Sequence, residues 1–147
     1  MDSDRLTPFE QEVITTILRP EHPVMSALRA QLAVCRVADR EFTGHGFYTS
    51  LVVPSDVAPA RVTRDRLHLG EVGATLDGLD NGAGFVLWIE HGVLDCLEGF
   101  AYDQPWPERI ENYAVFPITP YGGEGVECDI EQAENAWDRS EGTDLHG

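Results

Sequence analysis

Three successive stretches of the sequence carry side chains able to ligate a metal or share a proton: His68 and Glu71, then His91, then Asp95, Cys96 and Glu98. Metal-binding sequences usually place their ligands close together, as His-x-His, His-x-x-x-His or Cys-x-x-Cys. None of these spacings occurs, and the three cysteines, Cys35, Cys96 and Cys128, lie far apart. Neither a metal, another cofactor nor a disulfide framework is therefore implied. Side chains two apart on a strand share a face, so Cys96 and Glu98 are expected to point together and Asp95 to point the other way. Nucleophilic catalysis finds little support. There is no Gly-x-Ser-x-Gly, and His45, between Gly44 and Gly46, has no nucleophile or orienting partner in view. Gly70 and Gly73, or Gly82 and Gly84, lack the strand-to-helix setting of a phosphate loop, and a chain without lysine cannot hold Gly-x-x-x-x-Gly-Lys. The enzyme reading left is a small hydrolase or metal-dependent enzyme using His68, Glu98 and Cys96.

Binding chemistry is better represented. Trp88 alternates with Phe85, Leu87 and Ile89, so it faces outward if that trio faces a core. Trp88, Tyr102, Trp106 and Tyr113 form an aromatic group of the kind that anchors interfaces. Glu98 ends a mostly apolar run and, if buried, needs a partner such as Arg66 or Arg109. The expected binding residues are Trp88, Asp95 and Glu98 near a hairpin, Asp77 and Asp80 in the loop before it, and Trp106.

The charge narrows the partner. Among 147 residues, 26 are acidic and ten are basic, all ten being Arg, for a net −16 at pH 7. Residues 121–147 hold eight acids and one Arg, net −7; residues 1–120 hold eighteen acids and nine Arg, net −9. Affinity for a nucleic-acid backbone comes from Lys and Arg neutralising phosphates, so direct nucleic-acid binding is disfavoured. A basic protein partner, a cation or mimicry of a polyanion is favoured. Mimicry requires carboxylates in rows at phosphate-like spacing. No apolar run approaches the ~20 residues of a membrane helix, and the acidic start Met1-Asp2-Ser3-Asp4 does not read as a secretory signal. A cytoplasmic chain with no membrane partner is the expectation.

The elements that must position these residues follow from periodicity. Thr7-Pro8-Phe9-Glu10 fits a helix capping box, and Phe9, Val13 and Ile17 continue it as one apolar stripe. Arg19-Pro20 ends that helix. Pro23 opens a second, with Val24, Leu28 and Leu32 at the same spacing. From about Val34 the period becomes two. Strands are expected over 34–42, 47–53, 66–76, 85–90, 93–100 and 113–118, with Gly70 and Gly73 marking a bend or bulge. His91-Gly92 reads as a two-residue hairpin loop. The expected fold is α+β, with an N-terminal helical hairpin on one face of a mainly antiparallel, up-and-down sheet of five to six strands. Residues 5–120 form the single domain, and 121–147 an acidic, flexible tail.

The run Gly82-Ala83-Gly84-Phe85-Val86-Leu87-Trp88-Ile89-Glu90-His91-Gly92, then Leu97-Glu98-Gly99-Phe100 and Trp106-Pro107-Glu108, resembles a family of small, uncharacterised bacterial proteins. Leu6-Thr7-Pro8-Phe9-Glu10 and Glu41-Phe42-Thr43-Gly44-His45-Gly46-Phe47 share that likeness, which spans roughly residues 5–118. The resemblance implies a common fold and carries over no catalytic residues. Some small acidic proteins of this general kind sit beside toxin genes as immunity proteins. The resulting expectation is a non-catalytic, acidic immunity or inhibitor protein that captures a basic partner.

Overall fold

The computed structural model describes residues 4–102 and 104–117; the acidic segment 121–147 lies outside them. Two helices, α1 (Pro8–Ile17) and α2 (Pro23–Leu32), precede six strands: β1 (Arg36–Phe42), β2 (Gly46–Val52), β3 (Arg66–Leu76), β4 (Ala83–Glu90), β5 (Val93–Ala101) and β6 (Tyr113–Pro117). The fold is α+β, and every described strand pairing is antiparallel.

Both helices start on a proline, whose missing N–H costs nothing in a first turn. Thr7 closes the capping box of α1 reciprocally: its hydroxyl accepts from the Glu10 N–H at 3.1 Å, and its own N–H donates to Glu10 Oε1 at 2.8 Å. His22 caps α2 by accepting the Val24 N–H on Nδ1. The guanidinium of Arg29 donates to the carbonyls of Leu18 and Pro20, satisfying the end of α1 from α2. The helices do not form a hairpin packed chiefly against itself. Each lies on the sheet, α1 over β3, β4 and β6, and α2 over β5.

Strand order is β1-β2-β5-β4-β3-β6. That corrects the up-and-down expectation: among the described strands, only β3, β4 and β5 form a meander. Two longer connections cross to the far side of the meander and close the two ends of the core. Loop 53–65 passes the β4–β5 hairpin, where the Ala60 N–H donates to the Gly92 carbonyl at 2.7 Å. Loop 102–112 closes the other end, where the Trp106 N–H reaches the Gly44 carbonyl at 2.7 Å. The hairpin turn matches its sequence, with φ of 51° at His91 and 77° at Gly92. Gly92 is obligatory for a second reason: a Cβ there would collide with the Ala60 backbone.

The core is the layer between helices and sheet. Val13, Ile14, Leu18, Leu28, Leu67, Leu87, Ile89 and Leu97 are fully buried there. Glu10 and Gln31 are among the polar side chains buried with them, and both are fully used. Gln31 donates to the Gly92 and Ala58 carbonyls and accepts the Leu94 N–H, tying α2 to the hairpin and to loop 53–65. Glu10 takes the Nε and Nη2 of Arg40 at 3.0 and 2.7 Å and the Thr49 hydroxyl at 2.7 Å, tying α1 to β1 and β2. Among the described residues, no helix is long and apolar enough to cross a membrane.

Burial pushes the Glu10 carboxyl up, but the Arg40, Thr7 and Thr49 hydrogen bonds and the Arg40 charge outweigh it, and the net shift is downward. A carboxyl lowered by folding contributes stability that is present above its unfolded value, about 4.3, and lost as pH falls through the folded value. Glu10→Gln should therefore destabilise by about 2–4 kcal/mol at pH 7, read from urea midpoints, and the gap to the parent should shrink steadily below pH 4.

Candidate functional site

Period-two alternation divides β4 cleanly. Phe85, Leu87 and Ile89 face the helices, and Val86 and Trp88 face the other way. No described helix lies on that second face. Register places its side chains in rows. Tyr48, Glu98 and Val86 lie side by side on β2, β5 and β4; Ser50, Cys96, Trp88 and His68 lie side by side on β2, β5, β4 and β3.

Trp88 is outward and half-buried, as its alternation implies. Its indole N–H donates to Glu98 Oε1 at 3.1 Å, and the Tyr48 hydroxyl donates to Glu98 Oε2 at 3.3 Å. Glu98 is thus partnered by an indole and a phenol. Neither of the expected guanidinium partners reaches it: Arg66 pairs with Glu90 at 3.3 Å, and Arg109 with Glu111 at 3.6 Å. Arg66 serves the site differently. Its guanidinium sits 4.6 Å from the Trp88 ring centre, a cation–π contact, while the His68 ring lies 5.2 Å from Trp88.

Asp95 is a correction. Trp88 pairs with Cys96 and Ile89 with Leu94, so Asp95 is the extra residue of a β-bulge. Leu94 and Leu97 are both in the core although three apart, at 1% and 0% exposure. Asp95 and Cys96 consequently both lie off the core side, and Asp95 joins Glu98 and Trp88 instead of opposing them. A second bulge in β3 sets Gly70 and Glu71 against Val86, keeping Leu69 and Val72 both in the core.

The other expected site residues are elsewhere. Trp106 packs edge-on against Phe47 at 5.1 Å and Phe85 at 6.4 Å, on the helix side of the sheet. Tyr113 packs on Phe9 at 4.9 Å, also on that side. The single aromatic group expected from the sequence is therefore split by the sheet. Asp77 and Asp80 lie at the end of β4 away from the hairpin, about 17 Å from Trp88 along the strand. Asp77 is bound by the Asn112 side chain at 2.8 Å, and the Asp80 N–H by Gln104 Oε1 at 2.6 Å. Tyr48 and Arg66 belong to the Trp88 cluster, but their membership depends on strand register, which no local sequence signal carries.

His68, Cys96 and Glu98 share a face without converging. Trp88 stands between His68 and Cys96 in the row, and no hydrogen bond among the described residues joins any two of the three. Burial, then the Asp95 and Glu98 charges, push the Cys96 thiol up to about 11, so it is protonated at neutral pH. The Glu98 charge likewise pushes the Tyr48 phenol up. Among the described residues, no three His, Cys, Asp or Glu side chains gather to hold a metal ion. In comparisons with known proteins, no family model, no curated protein and no solved structure matches the chain.

Removing one like charge beside a thiol favours the thiolate by a fraction of a pKa unit. Glu98→Gln should raise the rate of Cys96 alkylation at pH 8.5 by about threefold, as measured by peptide mass spectrometry with Cys35 as the internal reference.

Proposed function

We propose that this chain is a non-catalytic, acidic binding protein that captures a basic protein partner in the cytoplasm. An immunity or inhibitor protein directed at a basic toxin is its concrete form. The observation that carries this reading is the sheet face opposite the two described helices, where Trp88 and Glu98 form one hydrogen-bonded unit with Asp95 beside them. An outward, partly buried indole is a frequent interface anchor. Its surroundings are held in place before any partner arrives: Tyr48 and Trp88 orient the Glu98 carboxylate, and Arg66 braces the ring. Such preorganisation lowers the ordering cost of association.

The overall charge supports the same reading. With −16 and no lysine, the chain attracts basic surfaces over about a Debye length and repels nucleic-acid backbones. Charge of this kind acts mainly on the association rate and on the choice of partner, while the anchor holds the complex. The likeness to a family of small bacterial proteins, carried by the Gly82–Gly92 and Leu97–Phe100 steps, fits the proposal but adds no site residues of its own.

The test is retention of a partner from the native host. Immobilised protein should hold a basic protein that elutes as salt rises past about 0.5 M. Trp88→Ala combined with Glu98→Gln should weaken retention by about thirtyfold, the scale of a hot-spot loss. Retention that ignores both salt and the two substitutions, or no basic protein retained at all, overturns the proposal.

A further inference from the structure

We propose that a hollow at the far end of the same sheet face accepts an arginine side chain of the basic partner. The inference rests on the binding reading above and adds a second anchor point with a defined chemistry. The hollow has a volume of about 390 Å³ and is lined from β3, β4, β6 and the loop between β3 and β4. Its residues include Gly73, Gly82, Asp80, Asn81, Tyr102 and Phe116.

Register explains why it exists. Phe116 pairs with Gly73, Gly73 with Gly84, and Gly84 with Phe100, so one line across four strands reads aromatic, glycine, glycine, aromatic. Val72, Ala74, Ala83 and Phe85 all face the core, which turns this line outward. The space a Cβ would take at Gly84 is filled by the Phe100 ring and the Tyr102 hydroxyl, so those side chains fold back across β4 and Tyr102 becomes one wall of the hollow. Phe116, two strands away, is the other wall, roughly 10 Å from Gly84 at ordinary strand spacing. Between them lie Gly73, Ala74 and Ala83, which carry little or no side chain.

Both walls are open to solvent: Tyr102 is 40% exposed and Phe116 42%. Asp80 stands at the rim. Its N–H is held by Gln104, and its carboxylate accepts no hydrogen bond from the described residues. None of the described residues lining the hollow is basic. Two π faces and a free carboxylate around a gap of this width suit a guanidinium, which stacks on rings and bonds to carboxylate in the same plane. The chain already builds that arrangement once on this face, where the Arg66 guanidinium lies over Trp88 and pairs with Glu90. At the Tyr102–Phe116 hollow the rings and the acid are present and the cation is supplied by the partner, as the −16 charge favours.

The experiment is an amide chemical-shift titration of the full chain with an end-blocked tri-arginine peptide and, in parallel, its tri-citrulline isostere. Arginine should shift the amides of Gly73, Asn81, Gly82 and Phe116, and citrulline should not. Phe116→Ala and Asp80→Asn should each weaken arginine binding by about twofold to fivefold, with unchanged spectral dispersion showing that both fold. Equal shifts from citrulline, a silent hollow, or unchanged affinity in both variants overturns the inference. A silent hollow in a chain that still retains a basic partner through Trp88 and Glu98 removes this inference alone. Arginine bound at the hollow in a chain that retains no basic protein removes the functional proposal alone.

Discussion

Burial of Phe85, Leu87 and Ile89 beneath the two helices is the constraint on which the rest of the molecule depends. These three are at most 2% exposed, and β4, which carries them, lies inside the sheet between β5 and β3. Because a strand alternates with a period of two, sealing one side commits Val86 and Trp88 to the other. The neighbouring strands pair in a single register, so Tyr48, Glu98, Cys96 and His68 are committed with them. The chemistry of the face opposite the helices is thus a consequence of how the core is sealed.

Bulges adjust that commitment where strict alternation would put the wrong residue inside. In β5 the extra residue Asp95 lets Leu94 and Leu97 both reach the core, and it moves a carboxylate onto the outer face. In β3 the same device, at Gly70 and Glu71, keeps Leu69 and Val72 inside. Buried polar groups lock the remaining parts. Glu10 joins the first helix to β1 and β2, and Gln31 joins the second to the hairpin. Each has its hydrogen-bonding capacity met, as burial in a low dielectric requires.

Where physics is local, the sequence was readable. The capping box at Thr7, the proline starts at Pro8 and Pro23, the left-handed turn at His91-Gly92 and the outward indole of Trp88 all follow from residue type and spacing. Where physics is long-range, it was not. Trp88 and Trp106 look like one aromatic group along the chain, yet they lie on opposite sides of the sheet, because loop 102–112 returns on the helix side to close the core. Glu98 looked like a carboxylate in need of an arginine, and β2, brought alongside β5, supplied a tyrosine instead.

By itself the sequence determined the element types, the apolar stripes, the hairpin turn and the acidic character, since each depends on neighbours within a few residues or on composition alone. Only the tertiary structure decided the strand order, the placement of Asp95 by its bulge and the set of side chains around Trp88. Those depend on which distant strands come together, and that choice is made by the core as a whole, not by any short stretch of chain.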